Sequence, residues 1–275
     1  MTDIRTGRPA TLAPNGMVTC PHSLASAAGV DVLRAGGSAI DAAIAASSSL
    51  SVLYPHMTGV GGDAFWLIYD ARTKQVRYLD GGGRAAQGGT IDAFTRRGLS
   101  EVPYRGVLPG TLTVPGAVAS WTEAHAAYGR LPLARCLETA IGYARDGFPV
   151  TARMAYWRGL AEEELKKSPE ATAIFLQPGR VLRNPDLANT LTAIARDGWS
   201  GFYEGDVAQE LVRWCQRNEG FFTADDLKAQ KARWEKPLVG TYRGVTIYET
   251  PAPTQGFAVL EMLNLLEPLK LHERE

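Results

Sequence analysis

A thiol and an imidazole lie close together near the start of the chain, at Cys20 and His22. A thiolate nucleophile needs its base at hydrogen-bond distance in space, which two neighbours around Pro21 rarely achieve. We therefore interpret Cys20 as a structurally placed thiol. The other cysteines, Cys136 and Cys215, are widely separated, so the three provide neither a disulfide framework nor a paired zinc motif.

Arg84 is the charged residue with the most suggestive position. It follows a predicted strand that ends at Asp80 and then three glycines, Gly81 to Gly83. Glycines let backbone segments approach closely, and the planar fork of an arginine can bind a carboxylate through two parallel hydrogen bonds. Arg84 is therefore a candidate substrate clamp. The alternative is a structural arginine that donates to loop carbonyls, and the residues alone favour neither.

Two further polar residues lie where a structural role competes with chemistry. Asp41 falls at the third position of a predicted helix behind Ser38. A carboxylate there accepts hydrogen bonds from the free N–H groups of the helix start, so capping is favoured over catalysis. His56 lies in the glycine-rich segment 56–62. We expect it to hold this loop through backbone hydrogen bonds rather than to act as a general base.

Generic catalytic motifs do not match the chain. The glycines of segment 59–62 follow a helix and precede a strand, which is the reverse of the order in a phosphate-binding loop. The sequence also contains no GKS or GKT, no HExxH and no GxSxG. The acidic run 162–164 with Lys166 and Lys167 is best interpreted as a solvated helix face, not as a metal site.

The elements that must position these residues are buried helices and strands. Two helical runs between residues 23 and 53 separate at Gly36-Gly37, and the second is almost entirely apolar, so it should be buried. Segments 64–69 and 76–79 are predicted hairpin strands in a sheet covered on both faces. A covered hairpin after a buried helix predicts a layered α/β architecture rather than a doubly wound sheet.

The second half of the chain is mainly helical, over about 131–235, with glycines at helix ends. After Pro237, two more strands are predicted around the Arg243-Gly244 turn. A final helix carries an apolar stripe that needs a cover. The stripe consists of Val259, Met262, Leu263 and Leu266. The sequence has no internal repeat or linker, so we expect a single segment, 1–275.

The composition limits the classes of function. The 275 residues contain 29 Lys+Arg and 29 Asp+Glu, and the absence of a basic run argues against nucleic-acid binding. No stretch approaches the ~20 apolar residues of a membrane span, and the polar residues 1–5 do not resemble a signal peptide. We therefore expect a cytoplasmic protein without nucleic-acid or membrane partners.

A set of collinear motifs covers essentially the whole chain. Each is weak alone, but their common order is highly specific. The N-terminal third contains GMV at 16–18, HSLAS at 22–26, VLRAGGSAIDAA at 32–43, PHMTGVGG at 55–62 and DGGGR at 80–84. The rest contains ARDGF at 144–148, FYEG at 202–205, Leu227, YRG at 242–244 and PAPTQG at 251–256. Together they resemble the large subunit of the γ-glutamyltransferases.

This resemblance implies an N-terminal nucleophile hydrolase with a four-layer αββα sandwich, of which this chain supplies the large-subunit part. Such a protein is made as one precursor, a zymogen, that cuts itself into two subunits forming a heterodimer. The nucleophile is a threonine that begins the small subunit. Its hydroxyl attacks the γ-glutamyl amide while its own α-amino group serves as the base. Backbone N–H groups of the small subunit stabilise the oxyanion.

The same resemblance places no catalytic residue among these 275 residues. It implies a small subunit from the same precursor as the partner. The substrates would be γ-glutamyl amides such as glutathione, and the acyl-threonine would pass its acyl group to water or to an amine. Neither a metal nor an organic cofactor is expected, because the threonine chemistry needs neither.

The chain departs from the family pattern at the expected carboxylate clamp. The family has an arginine two residues after the Asp of an Asp-Gly-Arg-Glu-Thr-Ala-Pro motif, but this position is Gly82, and Arg84 stands where the family has Thr. That arrangement is closer to γ-glutamyltransferase-like acylases, whose substrates need not be γ-glutamyl compounds. An acylase or amidase acting on glutaryl or related amides is therefore one alternative. A catalytically silent truncated module is the other.

Overall fold

The computed structural model describes residues 10–102 and 112–269. The polar residues 1–5 lie outside these ranges. The helices are Ser23–Arg34 (α1), Ala39–Leu53 (α2), Ile91–Thr95 (α3), Ala117–Tyr128 (α4), Leu133–Asp146 (α5), Ala152–Leu160 (α6), Glu162–Leu165 (α7), Pro169–Phe175 (α8), Pro185–Asp197 (α9), Ser200–Tyr203 (α10), Gly205–Arg217 (α11), Ala224–Ala229 (α12) and Gly256–Leu266 (α13). The strands are Ala64–Asp70 (β1), Gln75–Gly81 (β2), Phe148–Pro149 (β3), Val181–Leu182 (β4), Arg233–Glu235 (β5), Leu238–Tyr242 (β6) and Val245–Glu249 (β7).

Helices α1 and α2 form the predicted pair, with the break where the sequence indicates it. Gly36 has a φ of 91°, a left-handed conformation that glycine adopts without strain. The two helices can pack closely because residue 29 is a glycine. A Cβ at this position would lie only 3.0 Å from the carbonyl oxygen of Ala42. Helix α2 is buried as expected, and Ile44 and Leu53 have no exposed surface.

Asp41 has the capping role that the sequence favours, and it also connects distant parts of the chain. Its Oδ2 accepts from the backbone N of Ser38 at 2.8 Å, and the Ser38 hydroxyl accepts from the backbone N of Asp41. The same Oδ2 accepts from the backbone N atoms of Arg130, at 2.9 Å, and Leu131, at 3.2 Å. Asp41 is completely buried, so it ties the start of α2 to the segment between α4 and α5.

The main sheet has the antiparallel order β1-β2-β5 and carries the predicted hairpin. Trp66 faces α4, where its indole N–H donates to the Ser120 hydroxyl at 2.9 Å. Successive residues of a strand point to opposite faces. Leu67 and Tyr69 point away from α4, and they are 41% and 63% exposed. The expectation of cover on both faces is therefore wrong for β1 within the described ranges, because no described element packs over these two side chains.

The helical half of the chain packs around α5, which contacts α2 and α9. Gly147 and Gly198 directly follow α5 and α9 and have positive φ angles of 98° and 62°. This agrees with the prediction that glycines end these helices. Tyr203 in α10 is buried, and its hydroxyl donates to the Pro115 carbonyl at 2.7 Å and accepts from the Ala119 N–H at 3.1 Å. These bonds fix the start of α4 from the helical side.

The C-terminal strands β6 and β7 form a separate hairpin, with Arg243 and Gly244 at φ angles of 48° and 78° in its turn. Helix α13 packs on this hairpin, and a Cβ on Gly240 would lie 2.9 Å from Leu260. The predicted apolar stripe is only partly covered by this hairpin. Val259, Leu263 and Leu266 are half-buried, but Met262 is 55% exposed. Helix α13 is apolar on nearly all sides, so its pattern does not single out the face that packs.

Candidate functional site

The segment that begins at the last residue of β2, residues 81–87, carries Arg84 and is held by neighbours that are distant in sequence. The backbone N of Gly83 donates to Asp63 Oδ1 at 2.7 Å. The carbonyl oxygen of Arg84 accepts from the backbone N of Val114 at 2.8 Å. These two bonds fix the backbone on either side of the Arg84 side chain.

Two buried polar residues of the α12 region hold the same segment from the other side. Asp226 Oδ1 accepts from the backbone N of Gln87 at 2.9 Å, and its Oδ2 accepts from the backbone N of Thr223 at 2.9 Å. Burial tends to raise the pKa of Asp226, but these donors and the Thr223 hydroxyl outweigh it and lower the pKa. The amide of Gln230 donates to the carbonyl oxygen of Gly82 at 3.1 Å.

The glycines of this segment allow three backbone stretches to pack together. A Cβ on Gly83 would overlap the carbonyl oxygen of Val114, and a Cβ on Gly81 would overlap that of Ala64. A Cβ on Gly116, at the start of α4, would overlap the carbonyl oxygen of Gly81 and lie 2.8 Å from the carbonyl carbon of Gly82. The close backbone approach expected from the sequence is therefore present.

We expect Gly116→Ala to lower the free energy of unfolding by about 1–3 kcal/mol, because the new methyl group meets backbone that cannot rotate away. The measurement is urea unfolding of the purified protein. Gly142→Ala in α5 is the matched control, since nothing lies within 4 Å of its added Cβ, and it should stabilise α5 by about 0.5–1 kcal/mol. Equal urea midpoints for Gly116→Ala and the wild type would refute this packing.

Arg84 itself is exposed. Within residues 10–102 and 112–269, its guanidinium makes no hydrogen bond or ion pair. The alternative of a structural arginine that donates to loop carbonyls therefore has no supporting contact there. A rigid backbone with an uncommitted guanidinium is suited to binding an anion from outside the chain.

The glycine loop forms a cleft beside this segment. The carbonyl oxygen of Gly62 accepts from the backbone N atoms of Gly116, at 3.0 Å, and Ala117, at 2.8 Å. The adjoining cavity has a volume of about 430 Å³, and Asp63 lines it together with Trp121. The predicted loop is confirmed, although its three glycines do not have positive φ. Asp63 thus joins the cleft to the Arg84 segment.

His56 does not hold the loop through backbone hydrogen bonds, so that expectation is wrong. Neither ring nitrogen has a hydrogen-bond partner in the described part of the chain. Instead, the ring lies 4.1 Å from the Tyr54 ring and 6.2 Å from the Trp157 ring, measured between centroids. Burial, and then the charge of Arg153, lower the pKa of His56. The imidazole is therefore mostly neutral at pH 7.

Cys20 and His22 do not form a thiol–imidazole pair. The Cys20 sulfur lies 3.1 Å from the Ser26 hydroxyl and 3.2 Å from the carbonyl oxygen of His22. The Nδ1 atom of His22 accepts from the backbone N of Leu24 at 3.3 Å, which caps α1. The structural interpretation of both residues is confirmed.

One buried group could in principle hold a cation, because polar atoms of Asp41, His125 and Cys136 lie within 4.8 Å of one another. These side chains already have structural roles or are protonated. Asp41 caps α2, and His125 Nε2 lies 2.7 Å from the carbonyl oxygen of Leu131. Burial raises the pKa of the Cys136 thiol to about 12, so this sulfur stays protonated. We interpret the group as structural.

Sequence reasoning missed three residues of this region. Asp63, Asp226 and Gln230 hold the Arg84 segment, but only the helix-capping role of Asp226 has a local signal, through Thr223 three residues earlier. Asp63 follows the glycine loop without any motif that indicates its contact with Gly83. No helix in the described ranges is long and apolar enough to cross a membrane.

Comparison with known proteins gives consistent matches over nearly the full chain. The sequence model of the family described as gamma-glutamyltranspeptidase matches residues 25–275. The glutathione hydrolase-like YwrD proenzyme of Bacillus subtilis is 44% identical over 257 residues, which are 91% of this chain and 48% of the relative. The oxamate amidohydrolase proenzyme of Klebsiella pneumoniae is 38% identical over 275 residues, which are 96% of this chain and 51% of the relative.

The structural comparison agrees with these matches. The crystal structure of Helicobacter pylori gamma-glutamyltranspeptidase has a TM-score of 0.89 and 31% sequence identity, with coverage of 96% of this chain and 78% of that chain. The predicted fold class, the layered α/β fold of N-terminal nucleophile hydrolases, is confirmed by this likeness. The chain spans about half the length of the curated relatives that it matches.

Proposed function

Because this chain belongs to the γ-glutamyltranspeptidase family, we propose that it is the large-subunit part of an enzyme that cleaves γ-glutamyl amides such as glutathione. The acyl group passes to water or to an amine through an acyl-threonine intermediate. The observation that carries the proposal is the family match over residues 25–275. The proposed segment is 1–275, with its helical portion at about 131–235. Its cytoplasmic location stays a prediction.

The catalytic threonine belongs to a small subunit cut from the same precursor. The names of two relatives, both called proenzymes, support a precursor that is processed. Exposed apolar residues of this chain support a partner surface near its C-terminal end, since large apolar side chains in water mark interaction sites. They include Phe257, Met262 and Leu265 on α13.

In this proposal Arg84 binds a carboxylate of the acyl donor. Three features support the role: the side chain is exposed, its backbone is fixed by Asp63 and Val114, and its guanidinium has no partner in the described ranges. Asp63 also lines the cleft of the glycine loop. In this proposal the small subunit completes the cleft, and the hydrogen bond from Gly83 to Asp63 connects the Arg84 segment to it.

The second candidate is an acylase or amidase of the same fold. Gly82 stands where the family's arginine is expected, which removes a contact to a γ-glutamyl group. The relative named oxamate amidohydrolase also supports this candidate, because oxamate is an amide with a carboxylate but without an α-amino group. The two candidates share the carboxylate and differ in whether the enzyme recognises an α-ammonium group.

Two chromogenic amides distinguish the candidates. We expect the full-length processed protein to hydrolyse γ-glutamyl 4-nitroanilide with a kcat/KM at least about tenfold higher than glutaryl 4-nitroanilide. The reason is that hydrogen bonds to a charged ammonium contribute about 1.5–3 kcal/mol, and only the first substrate has one. The measurement is nitroaniline release for the two anilides and ammonia release for oxamate. A ratio near one, or turnover of oxamate alone, favours the acylase or amidase.

The same samples test the two-chain architecture. A mass spectrum of the processed protein should contain a second chain that begins with threonine, and the 275-residue chain alone should have no amide turnover. Turnover by the 275-residue chain would contradict the placement of the nucleophile. A full-length protein without a companion chain and without turnover of any of the three substrates would instead indicate the catalytically silent module.

A further inference from the structure

A second cavity lies next to the cleft of the glycine loop, between the loop and helices α6 to α8. Its volume is about 240 Å³. Met154, Leu165 and Phe175 provide much of its apolar wall. An engineered cavity of about 150 Å³ binds benzene, whereas drug-sized ligands occupy about 300–1,000 Å³. The cavity is therefore the size of a ring with a short side chain.

The polar residues of this cavity have unused hydrogen-bonding atoms. Ten buried side-chain nitrogen and oxygen atoms lack a hydrogen-bond partner in the described ranges, and four of them belong to three residues that line this cavity. They are Nδ1 and Nε2 of His56, Nε1 of Trp157 and Nη1 of Arg158. Such atoms are costly to bury without a partner, so their concentration at one cavity makes it suited to a ligand with a polar group.

The charges around the cavity indicate that this group is an anion. Arg158 contributes a guanidinium, and the guanidinium of Arg153 lies 5.7 Å from the centre of the Trp157 ring. The Glu162 carboxylate lies 2.9 Å from the Lys166 ammonium group, so it already has a cationic partner. Trp157 adds an N–H donor. A guanidinium with an adjacent N–H donor is suited to a carboxylate.

We propose that this cavity binds a small carboxylic acid with an apolar body. The carboxylate accepts hydrogen bonds from Arg158 and Trp157, and the apolar body, such as a phenyl ring, fills the space against Met154, Leu165 and Phe175. All these residues belong to this chain, and Arg84 is not among the residues that line the cavity.

The test uses 3-phenylpropionate as the probe and the full-length protein, with binding followed by ligand-observed NMR. We expect saturable binding at millimolar or lower concentration, and at least tenfold weaker binding of the neutral 3-phenylpropionamide. Arg158→Met should weaken binding of the acid at least tenfold, because it removes the charge and keeps an apolar side chain. Lys167→Met is the matched control, since Lys167 is exposed and paired with Glu164, and it should change the Kd less than twofold.

Two more variants keep the result interpretable. Ala161→Leu fills the cavity without changing its charge and should abolish binding. This variant tests the proposal if Arg158→Met does not fold. Arg84→Ala should leave the Kd unchanged. The proposal is overturned by no binding, by equal binding of acid and amide, by unchanged binding in Arg158→Met or in Ala161→Leu, or by loss of binding in Arg84→Ala only. These binding measurements do not require amide turnover. A failure of this proposal can therefore be distinguished from a failure of the proposed function.

Discussion

Arg84→Ala is expected to raise the KM for the acyl donor about 10- to 100-fold in the two-chain enzyme, with kcat within about threefold of wild type. Hydrogen bonds to charged groups contribute about 1.5–3 kcal/mol, and 1.4 kcal/mol corresponds to a factor of ten. A clamp on a carboxylate away from the scissile bond binds the ground state and the transition state alike, so its loss changes mainly KM.

The local structure makes this substitution a clean test. Arg84 is exposed, and its guanidinium has no contact in the described residues that its removal would break. The substitution keeps both hydrogen bonds that hold the backbone here. In one, the backbone N of Gly83 donates to Asp63, and in the other, the backbone N of Val114 donates to the carbonyl oxygen of residue 84. The urea midpoint should therefore stay within the range of ordinary surface substitutions, about 0.5 kcal/mol.

Two controls separate a clamp from a general charge effect. Arg84→Lys keeps the charge but loses the planar fork, so it should recover only part of the lost affinity. Arg96→Ala removes an exposed arginine at the end of α3 and should leave KM unchanged. If KM for both anilides is the same in Arg84→Ala and in the wild type, Arg84 does not bind the substrate.

The largest stability effect is expected for Asp41→Ala, which should lower the free energy of unfolding by about 3–5 kcal/mol. The substitution leaves the backbone N–H groups of Ser38, Arg130 and Leu131 without their common acceptor. Unsatisfied buried donors cost about 1–3 kcal/mol each, and relaxation offsets part of the sum. The measurement is urea unfolding at pH 7.

Controls for Asp41 distinguish the network from capping alone. Ser38→Ala removes only the hydroxyl cap of α2 and should cost about 1 kcal/mol. Asp31→Ala removes an exposed carboxylate of α1 that pairs with Arg34 and should cost less than about 0.5 kcal/mol. An Asp41→Ala variant no less stable than Ser38→Ala would refute a tertiary role of this carboxylate.

The pH dependence gives a second readout for Asp41. Burial tends to raise its pKa, but the backbone donors and the nearby His125 outweigh burial, so the folded-state pKa lies below the ordinary value. A carboxyl group with a lowered pKa stabilises the fold above its unfolded pKa, about 3.9, and loses that contribution as the pH falls through the folded pKa. The stability difference between wild type and Asp41→Asn should shrink below about pH 4.

Much of the local structure could be predicted because its causes lie within a few residues. The cap of α2 needs only Ser38 and Asp41, three positions apart, and the β6–β7 turn needs Arg243-Gly244. The family resemblance likewise depends on short motifs in a fixed order. Arg84 was found as a candidate because glycines and a strand end stand directly before it.

The expectations that failed concern which element covers a given surface. The apolar residues of β1 indicate a buried strand, but the exposure of Leu67 and Tyr69 depends on what packs over that face. His56 stacks near Trp157, which lies about a hundred residues away in the chain, and hydrophobic periodicity carries no information about such a neighbour.

The sequence by itself therefore determined the family, the layered fold class, the caps and turns, and the identity of Arg84 as a candidate. Only the tertiary structure decided how Arg84 is presented. Asp226 contacts Gln87 across 139 positions, and Gln230 contacts Gly82 across 148. The physical reason is the separation of the bonded residues along the chain. Capping and turn hydrogen bonds form between residues that are near one another in the sequence. The bonds of Asp226 and Gln230, and the cavity at Arg158, exist only after distant segments have packed.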